Sequence, residues 1–363
     1  MSRRGRRTGY GVLTDDDLPA AAPDGGRAVG GPTTAPDGSG PHDAAVGTGG
    51  SAAPSDSPGP GSPTVPDAVD RPDSRTPGSR SAGPARGGPP DGRARATAAL
   101  SRATGDGLPY YRFGRGDRPL VVLPGANDAF AGETDLQTGG LLARELYGRF
   151  AADFDVWVVS RPRGLAGGTT TRGMAADVAR LLRHLGPDPV DVLGISMGGL
   201  VATHLAADYP SLVDRLVLGA TAARLGEDGR RTVERWREHA ANGDWRALAV
   251  DTVDETYGRP RSWLYPPGLL GLPRAVLRPP NLTDPLVSFR ATLDHDGTAA
   301  LGAVDAPTLV VGGADDRLFP PALQREAASL AGGRAEVVEG TGHGVFEERK
   351  GAFDRTVASF LRE

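Results

Sequence analysis

In Gly194-Ile195-Ser196-Met197-Gly198 a serine stands between two glycines, each two positions away. A serine hydroxyl is almost wholly protonated at neutral pH and attacks poorly unless a base accepts its proton. An imidazole suits that task, and a carboxylate behind it fixes the ring and stabilises the imidazolium that forms. The chemistry in prospect is acyl transfer through a covalent intermediate. It requires a histidine and an acid from elsewhere in the chain.

Six histidines are present. His42 falls in the N-terminal region, His184 and His204 fall within helices, and His239 and His295 fall in or beside an insertion; surface or packing roles suit these. His343, in "EGTGHGVFEE", stands in a glycine-flanked loop just past an expected core strand. The acid is sought in "VVGGADDRLFPP", where Asp315 and Asp316 are adjacent. Their side chains must diverge, so only one can face His343. The last requirement is a pair of preorganised N–H donors for the negative charge that develops on the attacked carbonyl oxygen. Met197, directly after the serine, offers one. Ala126 in "LPGANDAF" offers the second, with Gly125 permitting a tight turn.

These residues need a frame. "DVLGI" runs an apolar strand into Ser196, and an apolar helix follows as far as Tyr209-Pro210. The flanking glycines remove β-carbons that would clash at a sharp bend, so Ser196 is expected in a strained conformation with its hydroxyl in the open. Further strands are read at Leu120–Leu123, Phe154–Ser160, Val190–Leu193, Arg215–Ala220, Pro307–Gly313 and Ala335–Gly340. Helical spacing marks Leu141–Phe150, Met174–Leu185, Pro321–Leu330 and Ala352–Leu361. Alternating strands and helices predict a mostly parallel, doubly wound sheet covered on both faces, with its active site at the carboxyl ends of the strands.

The alternation breaks between residues 222 and 300. Two helices are expected there, separated by Asn242-Gly243, with Asp244 capping the second. Three of the four tryptophans, Trp236, Trp245 and Trp263, fall in this helical insertion, which is placed to roof the sheet. They are candidate substrate-binding residues, although the rings could equally form the insertion's own core.

Residues 1–104 differ in kind, being rich in Gly, Pro, Ala, Asp, Ser and Arg. Such a segment buries too little apolar surface to offset the entropy of ordering, and it is read as a disordered tail before a domain at 105–363. The 363-residue chain has no cysteine, which excludes disulfides, thiolate catalysis and cysteine-ligated zinc. A formal net charge of −4 gives no electrostatic reason to expect nucleic acid. The arginine-rich start lacks an apolar h-region, and no stretch reaches the roughly 18 apolar residues of a membrane span. A cytoplasmic protein without membrane attachment, cofactor or metal is expected.

"GISMGG", "PTLVVGGADDRLFP" and "GTGHGVFEE" resemble the nucleophile elbow, acid strand and histidine loop of the α/β-hydrolase fold. "ATLDHDGTAAL" before "VDAPTLVV" resembles its esterase, enol-lactonase and cofactor-free haloperoxidase-like branch. The resemblance implies the α/β-hydrolase fold with a helical cap, and it places the acid of the Gly-x-x-Asp-x-x-x-Pro motif at Asp316. Two departures stand out: Pro124-Gly125 replaces His-Gly at the oxyanion loop, and "SRPRGLAGG" carries Ser160 where the family has an acid. The function implied is hydrolysis of a carboxylic ester or lactone with a hydrophobic acyl group. Thioester, carbon–carbon or peptide bond cleavage, haloperoxidase-like chemistry and non-catalytic small-molecule binding are the alternatives on the same fold.

Overall fold

The computed structural model describes residues 108–363, apart from 131–135, 187–188, 259–262, 264–266, 269 and 272–276. The tail expected at 1–104 lies outside the described residues. Seven strands form one sheet: β1 (Tyr110–Gly114), β2 (Arg118–Leu123), β3 (Phe154–Val159), β4 (Val190–Ile195), β5 (Val213–Gly219), β6 (Thr308–Gly313) and β7 (Arg334–Val338). Their order is β1-β3-β2-β4-β5-β6-β7. Only β1 is antiparallel to its neighbour, Tyr110 pairing with Val159.

The apolar runs explain the middle of this sheet. Every residue of β3, β4 and β6 is buried, as strands covered on both faces require. Successive side chains on a strand point to opposite faces. Accordingly Leu120 and Val122 join a core with Phe150, Val156 and Phe353, whereas Val121 and Leu123 join another with Met174, Leu200 and Leu205.

Helices α1 (Leu136–Tyr147), α2 (Thr171–Leu185) and α3 (Met197–Asp208) precede β5. Thr170 caps α2 by accepting from the Gly173 N–H, and Gly186 closes it with a φ of 74°. Between β5 and β6 come α4 (Glu227–Ala241), α5 (Trp245–Thr256), α6 (Thr283–Leu293) and the short α7 (Thr298–Leu301). The side chain of Asp244 accepts from the Ala247 N–H, capping α5 as its sequence suggests. Helix α4 packs against both α5 and α6, and α6 reaches the 3₁₀ turn at Ala126–Phe130. Then α8 (Pro321–Leu330), α9 (Val345–Glu348) and α10 (Lys350–Leu361) complete the alternation. No helix among the described residues is long and apolar enough to cross a membrane.

Strands β3 and β4 flank β2 on opposite sides, so the winding direction reverses there. In open α/β sheets, such a switch point opens a crevice at the carboxyl ends of the strands. Ala126 follows β2 and Ser196 follows β4, so both stand at this crevice.

Candidate active site

Strand β4 passes into α3 through Ser196 alone, at φ 52° and ψ −122°. That conformation costs a residue with a side chain on the order of 1–3 kcal/mol and persists only where the surroundings enforce it. Here the Ser196 N–H donates to Gly219 O and the Ser196 carbonyl accepts from the Gly199 N–H, both at 2.8 Å. The flanking glycines supply room. A β-carbon on Gly194 would sit 2.6 Å from the Gly198 carbonyl oxygen, and one on Gly198 would overlap the Leu123 carbonyl at the end of β2. The strain is on the serine; the glycines let strand, helix and neighbouring strand approach.

The turn after β6 carries Asp316, and the loop after β7 carries His343. The two loops are joined through the backbone, with Ala314 N–H donating to Val338 O and Asp315 N–H to Thr341 O, each at 2.9 Å. Buried Gln324 braces the acid turn by donating to Gly313 O at 3.1 Å and Phe319 O at 2.7 Å. Asp316 Oδ1 accepts from the N–H groups of Leu318 and Phe319 at 2.9 and 3.0 Å. Its Oδ2 lies 2.9 Å from His343 Nδ1, and His343 Nε2 lies 2.9 Å from Ser196 Oγ. A carboxylate only accepts, so Nδ1 carries the proton and Nε2 is left to accept from the serine hydroxyl. Phe319 stacks on the imidazole at 5.9 Å between ring centres. Asp315 is exposed, and of the two adjacent acids it is Asp316 that bonds the imidazole.

The loop after β2 is held differently. Met197 is the first residue of α3 and Ala126 the first of its 3₁₀ turn, so neither N–H has a carbonyl one turn back within its own helix. A β-carbon on Gly125 would lie 3.3 Å from Ser196 Cβ, so the loop abuts Ser196. Behind it, Asp128 collects a Ser160 hydroxyl bond at 2.7 Å, the Arg161 N–H at 3.1 Å and the Arg163 guanidinium at 3.1 Å. Burial alone would raise the Asp128 pKa; the charges of Arg161 and Arg163, with the hydrogen bonds from Arg163 and Ser160, overcome it and hold the carboxyl below its ordinary value. Burial conversely depresses Arg161, against the pull of Asp128. Asp128 therefore faces Ser160 from across the loop. Sequence reasoning did not single out Asp128 or Arg161; an acid in "PGAND" facing arginines in "SRPR", both just past apolar strands, was the available signal.

Ser196 and His343 open into a cavity of about 110 Å³. Leu146, Ile195, Trp236, Phe289 and Phe346 give it apolar walls, and Tyr147, Asn127, Thr252 and Glu347 add polar groups. Burial and the nearby carboxylates of Glu347, Asp128 and Asp354 push the Tyr147 phenol upward in pKa, so it stays protonated at neutral pH. Of the three tryptophans expected to meet substrate, only Trp236 lines this cavity. Trp245 is buried against Phe130, ring centres 6.3 Å apart, and Trp263 is 75% exposed. Rings in a helical insertion serve its own packing first, and that demand took Trp245.

The end of α5 is tied to the histidine loop. The Gly344 N–H donates to Thr256 O at 2.6 Å, and the Tyr257 hydroxyl donates to Glu347 at 2.6 Å. Arg317, next to Asp316, donates to Glu255 at 2.9 Å.

A sheet of this order with a strained serine at the β4–α3 bend defines the α/β-hydrolase architecture. Residues 118–350 match the alpha/beta hydrolase fold family, and the chain belongs to it. A Mycobacterium tuberculosis protein named as a non-heme bromoperoxidase, BpoC, is 30% identical over 227 residues, which is 54% of this chain and 77% of that one. The pimeloyl-[acyl-carrier protein] methyl ester esterase of Chromobacterium violaceum is 30% identical over 195 residues, 50% of this chain and 73% of its own. Among solved structures, the enol-lactonase from Burkholderia xenovorans LB400 superposes with a TM-score of 0.60 at 24% identity, covering 72% of this chain and 99% of that one.

Proposed function

We propose that the protein is a serine hydrolase that cleaves a carboxylic ester or lactone through an acyl-enzyme. The observation that carries the reading is the single imidazole set 2.9 Å from both Ser196 Oγ and Asp316 Oδ2. His343 Nε2 takes the serine proton as Oγ attacks the acyl carbonyl, and Asp316 stabilises the imidazolium. The N–H groups of Met197 and Ala126 receive the oxyanion. His343 then protonates the leaving alcohol and afterwards activates the water that releases the acid. In a lactone the alcohol remains attached to the acyl group.

The cavity supports a small acyl group. At about 110 Å³ it falls well short of the roughly 300–1,000 Å³ of pockets that take drug-sized ligands. The apolar walls favour a short hydrocarbon portion, and the esterase named above is a relative of matching reaction class. We read residues 105–363 as one hydrolase domain and 222–300 as its cap. The test is hydrolysis of p-nitrophenyl acetate by the full chain. Wild type should turn over, and Ser196→Ala should lose at least about 10⁴-fold in kcat. Equal rates for the two proteins would overturn the reading.

A further inference from the structure

Resting on that reading, we propose that Arg161 is a positioning residue of the oxyanion loop, its guanidinium fork aiming the Ala126 N–H and strengthening it as a donor. The side chain is buried, and both terminal nitrogens donate to the Gly125 carbonyl at 3.1 Å. Nη2 also donates to the Ala126 carbonyl at 3.1 Å, and Nη1 lies 3.5 Å from the Pro124 carbonyl. A peptide unit is planar and trans, so the Gly125 C=O and the Ala126 N–H point in opposite directions from one rigid plate. Pinning the oxygen on Arg161 turns the N–H away from Arg161. A charged donor on the carbonyl also polarises the amide, which makes its N–H the better donor.

The same guanidinium reaches Met197 Sδ at 3.5 Å, so one side chain touches the residues of both oxyanion donors. Arg161 is fixed in turn by Asp128, through its own N–H at 3.1 Å and an ion pair at 3.8 Å. Burying a guanidinium is costly, and an apolar side chain could fill the space more cheaply. What an apolar group cannot do is hold three consecutive carbonyls at fixed angles. Lysine, a point charge without the planar fork, cannot do it either. This is how a loop with Pro124 at the usual histidine position is kept in register.

The experiment compares the full-length wild type with Arg161→Lys, which retains the charge, and with Arg161→Ala in the presence and absence of millimolar guanidinium. Folding is checked by thermal melting. With p-nitrophenyl acetate, folded Arg161→Lys should lose about 10- to 100-fold in kcat, short of the loss for deleting a donor outright. KM should stay within about threefold, and guanidinium should restore part of the Arg161→Ala rate. A folded Arg161→Lys with kcat within twofold of wild type would overturn the proposal. Hydrogen–deuterium exchange of the segment 124–130 provides a readout independent of turnover. Faster exchange in Arg161→Lys supports the clamp even if wild type proves inert and the hydrolase reading fails. Unchanged exchange removes the clamp whatever the activity.

Discussion

The strand-end loops and the helical insertion face each other across the same cavity, yet they are built by different means. The loops bearing Ser196, Asp316 and His343 are set by main-chain bonds and by glycines that allow close approach, such as Gly313, whose β-carbon would collide with the Thr341 and Gly342 carbonyls. The insertion is set by side chains, with Phe289 packed on both Trp236 and Phe130. Main-chain bonds hold a group in the fixed geometry that proton transfer demands. Side-chain packing tolerates substitution when volume is kept, as a substrate wall can. One part of the site is therefore suited to keep its chemistry while the other changes what it admits.

The largest effect expected from this contrast is at the acid turn. Asp316→Asn should lower kcat by about 10⁴-fold, because the amide can no longer orient His343 and stabilise its charge. Asp315→Asn, one residue away and exposed, should stay within about threefold. Steady-state kinetics on the pair decide this, and comparable losses would erase the distinction between the two acids.

Next come the tryptophans of the insertion. Trp245→Ala should cost about 3–5 kcal/mol of stability, read from denaturant unfolding, and leave the preference among acyl chain lengths unchanged. Trp236→Ala should also destabilise, but it should raise kcat/KM for hexanoate relative to acetate by roughly tenfold, since it enlarges the cavity. A change in selectivity at Trp245 and none at Trp236 would reverse the assignment of the two walls.

The smallest effect lies at the seam between insertion and sheet. His295 follows α6 and bonds Thr171 at the start of α2, Nδ1 to Oγ1 at 2.8 Å. Burial and the neighbouring His204 lower its pKa to about 3, against opposing contributions from Asp296 and the Ala223 backbone. Between that value and an unfolded pKa of about 6.5, the unfolded chain binds the proton and the folded one does not. The stability of the wild type relative to His295→Asn should therefore shrink as pH falls through this window, by on the order of 1 kcal/mol per unit. Urea titrations at pH 6.5 and 5.5 measure it, and a pH-independent difference would contradict it.

How legible each region was follows from the same contrast. The elbow, acid turn and histidine loop are local in sequence, and apolar strands announce each one. Ser196, His343 and the Asp315-Asp316 pair could thus be singled out as candidates, with Asp316 preferred through the family resemblance, and their elements bounded within a few residues. Asp244 could be named as a cap because capping is also a local matter. The division of labour among Trp236, Trp245 and Trp263 depends on where three helices pack, which no short stretch encodes. The Asp128–Arg161–Arg163 cluster left only a faint signal for a related reason. Its members come from two loops 33 residues apart, and its acid stands on the opposite loop from the motif position where one was sought.

Ser196 is proposed as an activated nucleophile whose base is His343, and treatment of the full chain with a fluorophosphonate, followed by mass-spectrometric peptide mapping, tests both roles at once. One adduct is expected, on Ser196, forming rapidly in wild type and at least about a hundredfold more slowly in His343→Ala. A folded wild type that takes up no label, or that is labelled as fast without His343, would contradict it.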